Sequence, residues 1–304
     1  MPNAPEAVST DSLLDLWTGF RLTLEAEHRS PKTLTTYHEA VGQFSAWLEQ
    51  NGRPTAVREL KRADVEGFIA EVLSRSKPAT AASRYRSLHR YFGWLLDEEE
   101  ITVSPMDKCH PPRVELDPPP VLTEPQLIRL LRACEGPRFL DRRDMALVRV
   151  LLDSGMRVGE LVGMKVDDVD LEGKRLDVLG KGRRPRSPSI GAKTGIALNK
   201  YLRVRRAHPY ADCPQLWLGQ KGPTTTSGVF LALRGRGRLA GIEGLHPHQM
   251  RHSYAHRWQL AGGNESDLMQ QLGWRSRGML NRYAASAAGE RAAESHRRLN
   301  LGDL

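Results

Sequence analysis

A proline-rich stretch about one third of the way along the chain constrains the fold most. Six prolines fall between residues 101 and 120: Pro105, Pro111, Pro112, Pro118, Pro119 and Pro120. Proline has no backbone N–H and fixes φ, so this segment cannot continue a helix and favours a stiff, extended connection. We therefore predict a boundary here, with one domain over residues 1–106, a linker over 107–120 and a second domain over 121–304.

The residues before the linker show the period of amphipathic helices. Apolar residues recur at spacings of three and four over residues 11–28, which predicts a first helix. Ser30 and Pro31 are typical of a helix N-cap and its first position, and Asn51-Gly52 is typical of a helix end. Two further apolar stripes follow, the last after Pro78, and no segment alternates like a strand. The first domain is predicted to be a compact four-helix domain.

The residues after the linker are also mainly helical. Thr123 to Gln126 form a capping-box pattern. Leu176–Leu179 predict a short strand, Gly180–Pro185 a turn and Arg186–Ile190 the returning strand. Helices are predicted around residues 143–154, 158–162, 193–206, 225–239, 248–261, 265–272 and 289–299, with one more around Tyr283. The expected fold class is mainly α, with a small antiparallel β-sheet in the second domain.

The charge balance points to a polyanionic partner. The 304 residues include 45 Lys+Arg against 36 Asp+Glu, a formal charge of +9, and nucleic acid is the first candidate for such a protein. The three cysteines, Cys109, Cys134 and Cys213, are far apart, which favours reduced thiols in a cytosol. We find no signal peptide and no apolar run long enough to cross a membrane, so no membrane role is expected.

Arg84, Arg86 and Arg90 lie off the apolar stripe of the fourth predicted helix. Cations in this position could contact DNA phosphates without reading bases. An ordinary solvated helix face would look the same, because a run of surface charge rarely has a specific role.

The most informative segment is His246–Tyr254. His248 and Arg251 stand at positions i and i+3 of a predicted helix, so their side chains share one face. A proton-transferring imidazole beside a planar cation suits chemistry on a phosphate. His248, His252 and His256 are also spaced to line a metal-binding face, but there is no HExxH motif and Arg251 would lie beside the cation, so we expect no metal.

Seven other residues join this segment as candidates. Arg157 offers a guanidinium fork for two phosphate oxygens, and Glu160 either orients it or simply forms a surface ion pair. Lys181, Arg183 and Arg184 compete at the tip of the predicted hairpin, where a lysine could give a proton to a leaving alkoxide. Trp274 and Tyr283 alone are consistent with ordinary packing, and a tyrosine nucleophile would need neighbouring cations or a base.

Taken together, the ordered set resembles the tyrosine recombinase, or phage integrase, family. The set runs from Gly155–Glu160 through Lys181 and His246–Tyr254 to Leu272-Gly273-Trp274 and Tyr283. The resemblance implies a helical SAM-like core-DNA-binding domain followed by a catalytic domain. It implies a phosphate clamp of Arg157 and Arg251, a leaving-group acid at Lys181, and a nucleophile at Tyr283. His248 would handle the tyrosine proton, and Trp274 stands where most members have a histidine.

The resemblance also implies the reaction and the partners. The tyrosine joins a DNA 3′ phosphate and frees a 5′ hydroxyl, without ATP, cofactor or essential metal, and four protomers act on two duplexes in a bacterial cytoplasm. The segment from Ala284 would dock on a neighbouring subunit or fold back on its own domain. The short N-terminus is closer to Xer and Cre proteins or to short integrases than to arm-binding ones. We expect integration or excision of a mobile element. Dimer resolution, a decayed DNA-binding relative, a metal-dependent nuclease and the involvement of a directionality factor stay open.

Overall fold

The computed structural model describes residues 11–114, 120–180 and 184–274, together with isolated positions between 278 and 299. The chain divides into two compact units, Met1–Glu115 and Leu116–Leu304. Both are built mainly of helices, which confirms the predicted fold class. In the part of the chain described, no helix is long and apolar enough to span a lipid bilayer.

Over residues 11–114, the first unit contains four α-helices. They are α1 (Trp17–Ala26), α2 (Pro31–Gln50), α3 (Arg62–Arg75) and α4 (Pro78–Asp97). The Ser30 hydroxyl accepts from the backbone N–H of Thr33 and caps α2, as predicted. The first helix begins later than predicted, because the Asp15 carboxylate accepts from the backbone and hydroxyl of Ser12 and holds the preceding residues in a turn.

The core of this unit is rich in aromatic rings. Phe20, Phe44, Phe68 and Phe92, one from each helix, are fully buried. The proline-rich segment begins inside this unit, since Met106 and Cys109 are buried in the same core. The Tyr85 hydroxyl donates to the carbonyl of Cys109 at 2.7 Å, so the first part of the segment packs against α4.

The second unit is organised around one buried helix. Its helices are α5 (Glu124–Arg132), α6 (Phe139–Ser154), α7 (Val158–Gly163), α8 (Ala192–Arg205), α9 (Thr226–Leu239), α10 (Pro247–Leu260) and α11 (Glu265–Leu272). The helix α6 packs against α8, α9 and α10, and its residues Ala146 to Leu151 include five with almost no exposed surface. The predicted capping box is present, with Thr123 and Gln126 bonded reciprocally at the start of α5.

The described residues of the second unit also include three short antiparallel hairpins. Their strands are β1 (Val169–Asp170), β2 (Arg175–Leu176), β3 (Val178–Gly180), β4 (Arg184–Arg186), β5 (Leu218–Gly219) and β6 (Gly222–Pro223). In the β3–β4 hairpin, Gly180 pairs with Arg184 and Val178 with Arg186. A hairpin is therefore present in the predicted region, but its second strand is wrong in position: it covers Arg184–Arg186, whereas the sequence predicted it over Arg186–Ile190.

Candidate active site

The helix α10 positions His248 and Arg251. His246 is its N-cap and accepts from the backbone N–H of Gln249 through Nδ1 at 3.2 Å, and Pro247 occupies the first helical position. This start places His248 in the first turn, where its side chain is exposed, and Arg251 in the second, where only 5% of the residue is exposed. The imidazole and the guanidinium thus lie at one end of α10, as the spacing predicted.

Two helix ends hold the Arg251 guanidinium. Nη1 donates to the carbonyl of Gly155 and Nη2 to the carbonyl of Leu272, both at 2.6 Å. Gly155 is the C-cap of α6, and Leu272 is the last residue of α11, whose C-cap is Gly273. Both glycines have a left-handed backbone conformation. Carbonyls at helix C-termini carry partial negative charge and lack helical partners, so they suit a buried cation. The carbonyls fix the Arg251 fork firmly.

Arg157 is the N-cap of α7, and Glu160 is its partner. The Glu160 carboxylate accepts from the backbone N–H of Arg157 at 2.8 Å and from its Nη1 at 3.0 Å. The side chain of Glu160 is 5% exposed, whereas that of Arg157 is 34% exposed. The ion pair considered from the sequence is therefore present, but the Glu160 side chain is buried beneath the half-buried Arg157 and does not lie at the surface.

Arg186, at the end of β4, joins the same cluster and was not identified from the sequence. Its Nη2 donates to Glu160 Oε2 at 2.6 Å, and its Nη1 donates to the carbonyl of Gln271 at the end of α11. The only sequence signal was one cation among the four between residues 181 and 186. Nothing local connects it with a carboxylate 26 positions earlier.

The charges of this cluster lower the pKa of Glu160. Burial opposes ionisation, but the backbone N–H of Arg157 and the Arg186 guanidinium together outweigh it and bring the pKa below its ordinary value. Glu160 is therefore a carboxylate at neutral pH. Arg157 and Arg186 together carry two positive charges against this one negative charge, so the three side chains keep a net positive charge that suits a phosphate.

Gly273 and Trp274 close one side of the site. A Cβ atom added to Gly273 would lie 3.8 Å from Nη1 of Arg157 and 3.8 Å from Nε of Arg186, which places α11's end against both arginines. Trp274 is buried with Leu268 and Leu272, and Cζ of Arg251 lies 5.7 Å from the centroid of its ring. Trp274 thus packs against the anchored arginine and excludes water from its side.

The pKa of His248 is lowered. Partial desolvation is the largest cause, followed by the positive surroundings of His246, Arg251 and Arg157. The imidazole is therefore neutral at physiological pH, which is the state that can accept a proton from a phenol. The sensitivity of His248 to both arginines agrees with their convergence at this end of α10.

The metal-binding alternative receives no support from the geometry. In residues 11–114, 120–180 and 184–274, no group of three or more His, Cys, Asp or Glu side chains is placed to hold a metal ion. His248 and His252 lie with ring centroids 6.1 Å apart and nearly perpendicular, and Arg251 lies between them in the chain.

Three of the predicted site residues lie outside the described part of the chain: Lys181, Arg183 and Tyr283. The backbone of Arg184 belongs to β4. In the sequence, Lys181 follows directly after Gly180, the last residue of β3. The strand β4 ends at Arg186, in contact with Glu160.

The three arginines of α4 differ in their contacts. Arg84 donates to Gln43 and Glu39 on α2, and Arg90 donates to Glu27 after α1. Arg86 is exposed, and it pairs with none of the acidic side chains that the structure describes. Their assignment as DNA contacts stays a prediction, and the geometry makes Arg86 the most available of the three.

This arrangement suits a phosphodiester. Three groups lie at the end of α10. They are the half-buried guanidinium of Arg157, the Arg251 guanidinium that two carbonyls hold, and the neutral imidazole of His248. Such guanidinium groups bind phosphate oxygens and would neutralise the charge that develops on a phosphorus under attack. The site thus combines groups that are suited to phosphoryl transfer.

Comparison with protein-family models agrees with this interpretation. The model of the phage integrase family matches residues 120–290, and that of the phage integrase N-terminal SAM-like domain matches residues 18–99. The chain belongs to the phage integrase family, the tyrosine recombinases, and is a site-specific DNA recombinase.

Individual relatives agree. The chain is 30% identical over 259 residues to the tyrosine recombinase XerC of Actinobacillus pleuropneumoniae serotype 7 (strain AP76), covering 84% of this chain and 83% of the relative. It is 29% identical over 252 residues to the tyrosine recombinase XerD of Listeria monocytogenes serotype 4b (strain F2365), covering 80% and 84%.

Solved structures share the fold. The post-cleavage complex of the XerH recombinase with palindromic difH DNA matches with a TM-score of 0.74 and 17% identity, over 96% of this chain and 85% of that one. The Tn1549 transposon integrase, in complex with transposon right end DNA, matches with a TM-score of 0.74 and 19% identity, over 95% and 99%.

Proposed function

We propose that the protein cuts and rejoins DNA through a 3′-phosphotyrosyl bond to Tyr283. Arg157 and Arg251 hold the scissile phosphate, His248 accepts the phenolic proton, and Lys181 protonates the leaving 5′ oxygen. The observation that carries the proposal is that Arg251 is anchored at Gly155 and Leu272, where Gly273 lies beside Arg157, while His248 stands three residues before Arg251 on α10. Trp274 supports Arg251 by packing against it.

The two arginines divide their roles according to their exposure. Arg251 is nearly buried and anchored by two carbonyls, so it contributes a fixed positive charge and remaining N–H groups. Arg157 is more open and is held from behind by Glu160. A fork held in this way loses little entropy when it binds phosphate, so its stabilising effect is largest when charge builds up in the transition state.

We propose that the biological role is the integration or excision of a phage or other mobile element. The match to a transposon integrase fold is compatible with this role. One observation favours the alternative of chromosome or plasmid dimer resolution, namely the level of identity to XerC and XerD. Deleting the gene in its source organism separates the two: loss of the circular element junction, detected by PCR, supports excision, whereas accumulated dimers support resolution.

The proposed partners are double-stranded DNA core sites and three further copies of this chain. The lambda integrase tetramer bound to a Holliday junction has the same fold, with a TM-score of 0.72. We propose an equivalent tetramer on two duplexes in the bacterial cytoplasm, with Arg86 and the cations around Lys181 contacting the DNA backbone. A directionality factor is a further proposed partner of the integrase role.

The experiment is covalent trapping on a suicide duplex. The binding site is first selected from random duplexes and then nicked near the scissile bond, so that a cut strand is lost and the protein–DNA adduct persists. We expect an adduct with the unaltered protein, unaffected by EDTA, and none with Tyr283→Phe.

The matched control is Tyr254→Phe. Burial raises the pKa of Tyr254 to about 12, so this second phenol beside Arg251 is a poor nucleophile and its removal should leave the adduct in place. An adduct that survives Tyr283→Phe, or an activity that EDTA abolishes, would refute the proposed mechanism. Binding without any adduct would identify a DNA-binding relative that has lost catalysis.

A further inference from the structure

Arg186 is a largely enclosed cation that connects three elements of the catalytic unit. It lies at the end of β4, the strand that follows Lys181 in the sequence, and its side chain is 12% exposed. One Nη group reaches Glu160 on α7, and the other reaches the carbonyl of Gln271 on α11. A guanidinium suits this position because its two Nη groups are held apart in a planar fork, so that each can donate to a different acceptor.

The carboxylate of Glu160 is shared by two arginines with different exposure. Oε1 accepts from Nη1 of Arg157, and Oε2 accepts from Nη2 of Arg186 at 2.6 Å and from the backbone of Arg157. Arg186 is enclosed, whereas Arg157 is open to solvent. Arg186, the less exposed of the two, therefore neutralises much of the carboxylate charge, and Arg157 keeps part of its positive charge for a ligand.

Neighbouring carbonyls at the end of α11 bind two different arginines. Gln271 accepts from Arg186, and Leu272 accepts from Arg251. The chain then passes through Gly273 and Trp274 towards the segment that carries Tyr283. Arg186 thus links the strand that follows the lysine to the helix end that precedes the nucleophile.

From this arrangement we infer that Arg186 is a positioning residue for strand cleavage, which acts on the scissile phosphate through Glu160 and Arg157. The inference rests on the proposed function. Without Arg186, the buried carboxylate keeps only Arg157 as a cationic partner and draws its guanidinium inward. Arg157 then meets the phosphate in the wrong place, and a displacement of about 1 Å can slow an enzymatic step roughly 100-fold.

The experiment is a double-mutant cycle on the rate of covalent cleavage in a single turnover, with DNA affinity measured in parallel. We expect Arg186→Gln to slow cleavage about 10–100-fold and to change the Kd for DNA by less than about 3-fold. In the Glu160→Gln background, the same substitution should change the rate by less than about 3-fold, because its route to Arg157 is already lost. Arg186→Lys should recover part of the rate, since its ammonium still reaches Glu160.

The matched control is Arg175→Gln. Arg175 is also a strand arginine paired with a carboxylate, Asp170 at 3.0 Å, but Arg175 is exposed and Asp170 is only half-buried, so its loss should leave cleavage unchanged. If Arg186→Gln does not fold, the cycle is made with Arg186→Lys. We then expect Arg186→Lys to slow cleavage several-fold when Glu160 is present and to have no such effect in the Glu160→Gln variant.

Two results would overturn the inference. One is an Arg186 effect of equal size with and without Glu160, and the other is a loss of DNA binding as large as the loss of cleavage. Either would make Arg186 a structural or binding residue. Absence of a Tyr283 adduct with the unaltered protein would instead refute the proposed function, so the two failures are distinguishable.

Discussion

Gly155 provides a stringent test of how the site is built, because one atom added there should disturb both stability and Arg251. Gly155 ends α6 at φ 57°. A Cβ atom would lie 2.5 Å from Cδ1 of Tyr254 and 2.6 Å from Cδ2 of Leu272. The carbonyl of the same residue accepts from Nη1 of Arg251 at 2.6 Å. The substitution Gly155→Ala therefore combines backbone strain with a steric overlap beside an anchor of the catalytic arginine.

The expected loss of stability follows from these two contributions. An L-residue in the left-handed region costs about 1–2 kcal/mol, and overpacking of a filled site costs about 1–3 kcal/mol. Their sum is about 2–5 kcal/mol. For a unit the size of Leu116–Leu304, each kcal/mol shifts Tm by roughly 2–4 °C, so we expect a decrease of roughly 4–20 °C.

Gly241→Ala is the matched control. Gly241 has a similar φ of 68°, but a Cβ atom there meets nothing within 4 Å. It should show the strain contribution alone, about 1–2 kcal/mol. We also expect Gly155→Ala to slow covalent cleavage about 10-fold or more at a temperature where both variants are folded, because the overlap moves the carbonyl that holds Arg251.

The assay is thermal unfolding of the two variants and of the unaltered protein, followed by single-turnover cleavage of the suicide duplex. Equal shifts in Tm for Gly155→Ala and Gly241→Ala would show that the close contact with Tyr254 and Leu272 does not exist. A normal cleavage rate in Gly155→Ala would show that the anchor of Arg251 at Gly155 does not matter for catalysis.

Two further predictions concern the ionisable groups of the site. Glu160→Gln should lower the free energy of unfolding by about 3–5 kcal/mol at pH 7, because two guanidinium groups lose their buried partner. Since the folded state lowers the pKa of Glu160, its contribution is complete above the ordinary carboxyl pKa and is lost as the pH falls through the lowered one. Urea unfolding at pH 7 and near pH 3 should therefore show a smaller difference between variant and parent at the lower pH, and a constant difference would contradict this assignment. The cleavage rate should stay constant as the pH falls through the ordinary range of histidine and decline only below it, because the pKa of His248 is lowered. In His248→Gln the rate should fall about 100-fold and lose this acidic limb, and a limb that persists in the pH–rate profile would belong to another group.

The sequence by itself determined where most helices begin and end. The α2 start at Ser30-Pro31 and the capping box at Thr123 were predicted correctly, because caps and apolar periodicity depend on residues a few positions apart. The predicted start of α1 was wrong, because the contact between Ser12 and Asp15 holds these residues in a turn where the first helical turns were expected. The family and the paired arginines were also accessible, since they depend on motifs in a fixed order.

Only the tertiary structure decided which partner each long side chain takes. Arg251 meets the carbonyl of Gly155, 96 positions away, and Arg186 meets Glu160 across 26 positions. Such contacts depend on how α7, α10, α11 and the β3–β4 hairpin pack, and an arginine has the same local sequence signal whether it binds DNA, a carboxylate or a helix end. The sequence could therefore identify the candidate site residues. Only the packing of these elements shows that Arg186 contacts Glu160, the partner of Arg157.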